Sequence, residues 1–306
     1  MIIKRIKRIF SEYIIIAALA FIAFAAICAA GVFPHNCSVA ASEPSFPVIP
    51  GGFEQLYELS APVDVDFYGD DMLILEYDKA DKSKNRLSIL RGGVYRSYDF
   101  SSYDATEAKF FRGGIIFLSG SKLYIFNEED GTATETNMVA ATAFSVYGNV
   151  ILTNNSGGLF VYRAEDNFDA NAFTKIRSLS LGDSPEALVL ADETSAYYFF
   201  NDDICYFALN DEDRRTLKVY GGDVRYVVYN DGKLYYSTKS GVMFFDTTAL
   251  YGDRVNSTPS DYNVQGLAFK GDRLLAAYKG KKAIKEIDLT ANDTNGENFT
   301  LYAITA

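Results

Sequence analysis

Histidine occurs once in this chain of 306 residues, as His35, close to the N-terminus. Serine and cysteine hydrolases need an imidazole beside the nucleophile, and many zinc, copper and iron sites use imidazole ligands. His35 lies in a segment with the features of an export signal, and no imidazole follows it. Histidine-dependent catalysis and histidine-ligated metal sites are therefore excluded for the body of the chain.

Carboxylates are the remaining groups that could catalyse a reaction. Glycoside hydrolysis needs only two of them, about 5–9.5 Å apart, and the chain holds 40 Asp and Glu residues. No pair among them is distinguished by its spacing or by a motif, and no glycine-rich phosphate loop is present. The sequence therefore predicts no catalytic residue and no cofactor.

Calcium is the one metal whose oxygen ligands this composition supplies. The candidate clusters all fall where turns are expected, and turns favour Asp and Asn for backbone reasons alone. The last cluster resembles part of a calcium loop, but Ala291 occupies its first ligand position and the distal glutamate is missing. We interpret all of them as turn residues and predict no metal site. The clusters are Asp70-Asp71, Glu128-Glu129-Asp130, Asn201-Asp202-Asp203, and Asp293 with Asn295 and Asn298.

The first 41 residues differ from the rest of the chain. A basic head between Lys4 and Arg8 precedes an uncharged apolar stretch from Tyr13 to Phe33, and small residues follow just before Ser42. This pattern is typical of a cleaved signal peptide or of a membrane-anchoring helix, and both alternatives stay open. Either way the body crosses the membrane. We predict an extracytoplasmic protein, secreted or anchored by this helix, with residues 42–60 as a linker and N-terminal outer strand.

Beyond residue 41 the chain holds 25 Lys and Arg against 39 Asp and Glu, a formal charge of −14. Nucleic-acid binding rests on basic side chains that neutralise phosphates, so this balance excludes it. Only Cys205 remains after the export segment, so no internal disulfide can form. Its alternating neighbours predict a buried, inert thiol on a strand.

One unit recurs through the body of the chain. It consists of an apolar strand, a turn, two further apolar strands and a more polar fourth strand. The turns between first and second strands are spaced 44, 35, 45, 38 and 40 residues apart. A period near forty with four short strands is the signature of a β-propeller, whereas a sandwich does not explain the recurrence. The turns fall at Gly69, Gly113, Gly148, Glu193, Asp231 and Gly271.

The two ends of the repeat array predict more than six blades. Phe53–Leu59 has the pattern of an outer strand before the first repeat, and Phe299–Thr305 has the same pattern after the sixth. Propellers avoid unpaired edges, and the early strand would need three later partners. We therefore expect six visible four-stranded blades of a truncated seven-bladed ring. The alternative is a closed six-bladed ring, for which a tight junction between the first and last blades would be decisive.

The segment Asp231–Thr238, followed by Gly241–Asp246, resembles the blade motif of bacterial secreted propeller-repeat proteins of the NHL, YVTN and quinoprotein-like group. Weaker copies span Gly113–Phe126 and Gly148–Tyr162. This resemblance implies a fold over residues 61–306 and a habit of binding other molecules, and no particular activity. The chain has no tryptophan, so the tryptophans that decorate quinoprotein blades are missing.

The sequence thus predicts an all-β propeller with one N-terminal hydrophobic helix. The leading functional hypothesis is a non-enzymatic binding or scaffold module at the bacterial cell envelope. Its expected partner is a protein or a polysaccharide at the cell surface, with membrane contact only through an uncleaved N-terminal segment. The alternatives are a carboxylate-based carbohydrate-active enzyme, and a sensor or adaptor part of a longer multidomain protein. Two close, partly buried carboxylates in a cleft would favour the enzyme.

Overall fold

The computed structural model describes most of the chain from Leu59 to Tyr302. The described ranges are 59–165, 169–201, 203–210, 214–219, 224–239, 241–256, 264–279, 282–287, 289 and 299–302. The export segment, most of the strand expected at Phe53–Leu59 and the Asp293–Asn298 cluster lie outside them. None of the described residues belongs to a helix of a length and apolarity that would let it span a membrane.

Six four-stranded antiparallel sheets make up the described body, and each is built from four consecutive strands. Each sheet is one blade, and the described residues in helical conformation are a 3-10 turn at Lys82–Lys84 and the single residue Lys279. The all-β prediction and the six-fold repeat are confirmed. Blade 1 comprises β1 Pro62–Tyr68, β2 Asp71–Glu76, β3 Arg86–Arg91 and β4 Val94–Asp99; blade 2 comprises β5 Ala105–Phe111, β6 Gly114–Ser119, β7 Lys122–Asn127 and β8 Thr132–Glu135; blade 3 comprises β9 Ala143–Tyr147, β10 Val150–Asn155, β11 Gly158–Ala164 and β12 Phe173–Ser180; blade 4 comprises β13 Ala187–Leu190, β14 Ser195–Phe200, β15 Asp203–Ala208 and β16 Arg214–Val219; blade 5 comprises β17 Val227–Asn230, β18 Lys233–Thr238, β19 Gly241–Asp246 and β20 Tyr251–Asn256; blade 6 comprises β21 Val264–Lys270, β22 Arg273–Tyr278, β23 Ala283–Ile287 and β24 Phe299–Tyr302.

The first strands of the blades contact one another in cyclic order, from β1 through β5, β9, β13 and β17 to β21 and back to β1. They therefore line a central channel. The turns predicted from the period all fall between first and second strands, and most of them need a positive φ, as at Gly69 (φ 61°) and Asp231 (φ 46°). Gly and Asp tolerate that conformation better than other residues.

The hydrophobic core is divided into six clusters, one between each pair of neighbouring blades. Side chains alternate between the two faces of a sheet, so every second residue of a strand packs on the preceding blade and the residues between them pack on the following blade. Tyrosines contribute to this packing. Tyr197 stacks on Tyr229 across blades 4 and 5, with ring centroids 5.5 Å apart, and the predicted buried thiol of Cys205 is confirmed.

The junction between blades 6 and 1 is as tightly packed as the others. Val65 and Ile74 of blade 1 join Ala268, Leu275 and Ile284 of blade 6 in one buried cluster. A seventh blade would have to part this core, so the expected seven-bladed ring is wrong. The predicted outer strand after the sixth repeat is confirmed over Phe299–Tyr302, where it pairs with β23 as the fourth strand of blade 6.

Candidate functional site in the central channel

In blades 1 and 2, a β-bulge near the start of the first strand turns one acidic side chain towards the following blade. The register of β1 against β2 shifts between Pro62 and Asp64, and that of β5 against β6 shifts between Ala105 and Glu107. A bulge inserts one extra residue and so re-aims the residues that follow it. As a result Asp64 and Glu107 occupy equivalent positions in blades 1 and 2.

Asp64 is the most enclosed of these acids, with its side chain 2% exposed. Its Oδ2 accepts hydrogen bonds from the backbone N–H of Ala108 (3.0 Å) and from Nζ of Lys109 (2.8 Å). Its Oδ1 accepts from Lys109 Nζ at 3.0 Å and from the Val65 N–H at 2.9 Å. Four contacts thus satisfy the carboxylate, and three of them come from β5 of the next blade.

Other side chains in or next to first strands also accept a hydrogen bond from a backbone N–H of the following blade. Asp66 accepts from the Phe110 N–H (2.7 Å), and Glu107 accepts from the Phe144 N–H (3.2 Å). The Ser145 hydroxyl accepts from the Leu190 N–H at 3.0 Å, and Glu186, just before β13, accepts from the Val224 N–H at 3.3 Å. These bonds satisfy amides on strand edges that face no neighbouring strand.

Burial dominates the electrostatics of the cluster. It raises the pKa of Asp66 to about 6, against the lowering effects of Lys109 and the Phe110 amide. It raises the pKa of Glu107 to about 8, although Lys109 opposes the rise, and the charges of Asp64 and Asp66 add to it. Burial alone would lower the pKa of Lys109, but the three neighbouring carboxylates raise it above its usual value. Burial also raises the pKa of Asp64.

The cluster borders a cavity of about 760 Å³ that is lined by the first strands of all six blades. Tyr226 lies on its far side, ahead of β17, and its pKa is raised by burial and then by the charges of Asp64 and Glu107. The cavity is therefore lined by four acids, one lysine, one arginine, three tyrosines and apolar strand residues. Such a set can bind a polar ligand or transfer a proton, since Glu107 keeps its proton near neutral pH.

The sequence analysis did not single out Asp64, Asp66, Glu107 or Lys109. In the alternating pattern Asp64-Val65-Asp66-Phe67 the charged residues resemble the solvent face of a half-exposed strand. The structure shows that they face the next blade instead. The available signal was the position of the acids: Asp64 and Glu107 stand at corresponding places of two consecutive repeats.

Asp70, residues 128–130 and Asn201 lie in turns as predicted, whereas Asp71 and Asp203 begin strands β2 and β15. Asp202 and the Asp293 cluster lie outside the described residues. Asp130 accepts hydrogen bonds from the N–H and hydroxyl of Thr132 (2.9 and 2.7 Å), and Asp71 accepts from Arg91 Nε at 3.0 Å. These are turn-stabilising contacts. Among the described residues, no group of three or more Asp, Glu, Cys or His side chains could hold a metal ion.

The two flat faces of the propeller differ in charge. We call the face that carries the turns between strands one and two and between strands three and four of each blade the turn face, and the opposite one the loop face. In their described turns and loops, the turn face has ten acids and one basic residue, whereas the loop face has five acids and seven basic residues. The turn-face residues are Asp70, Glu128, Glu129, Asp130, Glu165, Asp169, Asp192, Glu193, Asp231 and Asp272 with Arg112, and the loop-face residues are Asp78, Asp81, Asp104, Asp183 and Glu186 with Lys79, Lys82, Lys84, Arg225, Lys239, Lys279 and Lys282.

A groove of about 600 Å³ lies between blades 1 and 2 and reaches the turn face. Arg91 bridges the two blades beside it, with its Nε 3.0 Å from Asp71 Oδ2 and its Nη1 2.7 Å from Glu128 Oε1. Val94 and Glu129 also line the groove, and both are exposed.

No protein-family model and no curated protein matches the chain. Solved structures do match it. A chain in the crystal structure of a mitotic checkpoint complex is 12% identical, with a TM-score of 0.52 over 84% of this chain and 82% of that one. The extracellular domain of a putative hybrid two-component system from B. thetaiotaomicron is 10% identical, with a TM-score of 0.55 over 81% of this chain and 34% of that one.

A chain in a nidogen/laminin complex is 11% identical, with a TM-score of 0.53 over 67% of this chain and 86% of that one. These likenesses concern the fold. At such low identities a shared propeller carries no information about ligands or reactions, because unrelated functions use the same fold.

Proposed function

We propose that this chain is a non-enzymatic binding or scaffold propeller of the bacterial cell envelope, located outside the cytoplasm. The observation that carries the proposal is the use of the channel carboxylates. Asp64, Asp66 and Glu107 each accept a backbone amide of the following blade, so each has a structural task in the ring. A rigid ring with satisfied channel acids is suited to presenting a surface to a partner.

The proposed location rests on the N-terminal segment. Its basic head and the apolar stretch from Tyr13 to Phe33 support export, by cleavage or by anchoring. The resemblance of the Asp231–Asp246 segment to secreted propeller-repeat proteins supports the same location. The partner is a protein or a polysaccharide at the cell surface, since the acidic body disfavours nucleic acid.

The location is tested by expressing the full chain in bacteria and adding protease to intact spheroplasts. Digestion of the body is expected from outside, and reversing the four basic residues between Lys4 and Arg8 should hinder export. A body that stays protected until the cells are lysed would contradict the proposed location.

The non-enzymatic role is tested by calorimetric titration of the full chain with cell-envelope polysaccharides and surface proteins. Heat that saturates at a fixed stoichiometry, with no new reducing ends, is expected for a binding module. Continuing heat with release of reducing ends would contradict it.

A carboxylate-based carbohydrate-active enzyme is a second candidate, and one observation favours it. Burial raises the pKa of Glu107 to about 8 and that of Asp66 only to about 6, and both line the same cavity. Such a separation assigns a proton donor and a carboxylate in glycosidases. Loss of reducing-end release in both Glu107→Gln and Asp66→Asn would establish this function, whereas activity that survives both substitutions would exclude these two acids.

A further inference from the structure

Among the described turns and loops, the two faces of the propeller carry very different charges. The described turns of the turn face carry a net charge of −9, and the described loops of the loop face carry +2. Charges on a surface steer partners of opposite sign and repel partners of the same sign. The turn face therefore selects against anionic polymers and membranes and favours a basic surface.

Exposed apolar side chains are concentrated on the same side. Of the six large hydrophobic residues that are exposed in the described part of the chain, four flank or lie in turns of the turn face. They are Tyr68 (62% exposed), Val94 (56%), Tyr147 (49%) and Leu250 (48%). They are spread over blades 1, 3 and 5, and each offers a partner an apolar contact beside acidic turns.

The groove between blades 1 and 2 brings an exposed apolar side chain close to an exposed acid. Val94 lies on its blade 1 side and Glu129 on its blade 2 side. Arg91 pairs with Asp71 and Glu128, and the exposed Arg96 also lines the groove, so the groove itself is nearly balanced in charge and the acidic character belongs to the face around it. An aliphatic side chain next to a lysine or arginine on a partner would match this arrangement.

We propose that the turn face docks a protein partner, and that the partner's surface is basic and partly apolar. The proposal rests on the binding role proposed above and adds the face and the chemistry of the partner. A polysaccharide without basic groups lacks the positive charge, and the described loops of the loop face, at a net +2, would give a second copy of the chain a weakly basic surface.

The test uses the full chain and three short synthetic peptides: one of alternating Lys and Val, one of Lys and Ser, and one of Glu and Val. Binding is measured by fluorescence anisotropy at low and high salt. The Lys/Val peptide should bind best and should weaken with salt, since exposed charges are screened. The Lys/Ser peptide should bind more weakly, because it lacks apolar groups, and the Glu/Val peptide should not bind.

Two matched double variants identify the face. Asp70→Lys with Glu129→Lys reverses two exposed acids of the turn face, and Asp99→Lys with Asp183→Lys reverses two exposed acids at the loop-face end. Both change the net charge equally. The first should lower affinity for the Lys/Val peptide at least about tenfold, by analogy with charge reversal at other interfaces, and the second should leave it nearly unchanged. A third variant, Tyr68→Ser with Val94→Ser, should remove the preference for Lys/Val over Lys/Ser.

Equal loss in the two charge variants, or equal binding of Lys/Val and Lys/Ser by the unaltered chain, would overturn the docking face. Concentration-dependent dimers that disappear in the turn-face variant, with no binding of the Lys/Val peptide, would also overturn it in favour of self-association. If a polysaccharide saturates the chain and no peptide binds, this inference fails and the proposed binding role stands. If the chain hydrolyses the polysaccharide, the proposed function fails, whatever the peptides do.

Discussion

From Asp64 to Phe67, strand β1 makes contacts of opposite character with its two neighbouring blades. Towards blade 2 it presents Asp64 and Asp66, which accept the amides of Ala108 and Phe110 and the ammonium of Lys109. Towards blade 6 it presents Val65 and Phe67, which pack against an apolar cluster. The alternation of side chains along the strand therefore gives one polar and one apolar contact, rather than one buried and one solvated face. We call the contacts of Asp64 and Asp66 with blade 2 the polar seam, and those of Val65 and Phe67 with blade 6 the apolar seam.

The apolar seam also depends on a close approach of two backbones. A Cβ built on Gly266 would lie 2.8 Å from Cα of Asp64 and 3.1 Å from the Val63 carbonyl oxygen. A glycine at this position lets β21 reach β1. In the described chain no strand is exchanged between blades 6 and 1, so side-chain packing and this approach close the ring. Lys279 Nζ adds one hydrogen bond to the Tyr77 carbonyl oxygen, at 3.0 Å.

The largest expected effect comes from breaking the polar seam. Lys109→Met leaves the Asp64 carboxyl buried without its cation, and removing one partner of a buried pair typically costs about 3–5 kcal/mol. Urea unfolding of the full chain measures the loss. Adding Asp64→Asn to Lys109→Met should restore part of the stability, because the unpaired charge is gone. Lys122→Met, at an exposed pair with Glu135, is the control and should leave the midpoint nearly unchanged.

A somewhat smaller effect is expected at the apolar seam. Gly266→Ala places a methyl group against the backbone of β1, and overpacking of this kind costs about 1–3 kcal/mol. The matched control is Gly157→Ala, where the nearest atom to the new Cβ is the Asn155 side-chain oxygen at 3.1 Å. A Gly266→Ala protein as stable as the control would show that β21 and β1 do not approach in this way.

Glu107, close to the acids of the polar seam, should also make stability depend on pH. The pKa of Glu107 is raised to about 8 in the folded chain, against about 4.3 when unfolded. The folded state thus holds the proton more tightly, so this group's contribution to stability is greatest at low pH and declines as the pH rises from about 4 to 8. Glu107→Gln should flatten that decline and stabilise the protein at pH 9. An unchanged pH profile in this variant would contradict the buried position of Glu107.

The smallest effect is expected between blades 3 and 4, where the uncharged Ser145 hydroxyl, instead of a carboxylate, accepts the hydrogen bond from the following blade. Ser145→Ala leaves the buried Leu190 N–H without its acceptor, at a cost of about 1–2 kcal/mol. Ser145→Thr keeps a hydroxyl and should retain more of the stability. Equal stability of the two variants in thermal unfolding would indicate that the Ser145 hydroxyl does not hold the Leu190 amide.

The repeat made the fold predictable from the sequence. Strand pairs such as Ile115–Leu118 with Leu123–Phe126 recur with turns that need positive φ, and both signals are local. The number of blades in the ring was not predictable, because Phe299–Thr305 fits the outer strand of either ring. Closure depends on a contact between residues about 200 positions apart in the chain, such as Asp64 and Gly266.

The candidate site was hidden for a related reason. The turn clusters are determined by the local sequence, as the contacts of Asp130 with Thr132 illustrate. Asp64 and Lys109, in contrast, are 45 residues apart and meet only when two blades pack together. A charged residue on an apolar strand has the same local pattern whether it faces water or a neighbouring sheet.

Amide hydrogen exchange at Phe110 and Phe144 tests the central claim most directly. These N–H groups bond to Asp66 and Glu107 of the preceding blade, so both should exchange slowly in the unaltered protein. In Asp66→Ala the Phe110 amide should exchange faster while the Phe144 amide stays slow. Fast exchange of both amides in the unaltered chain, or no change at Phe110 in the variant, would contradict a ring whose blades are joined by these side chains.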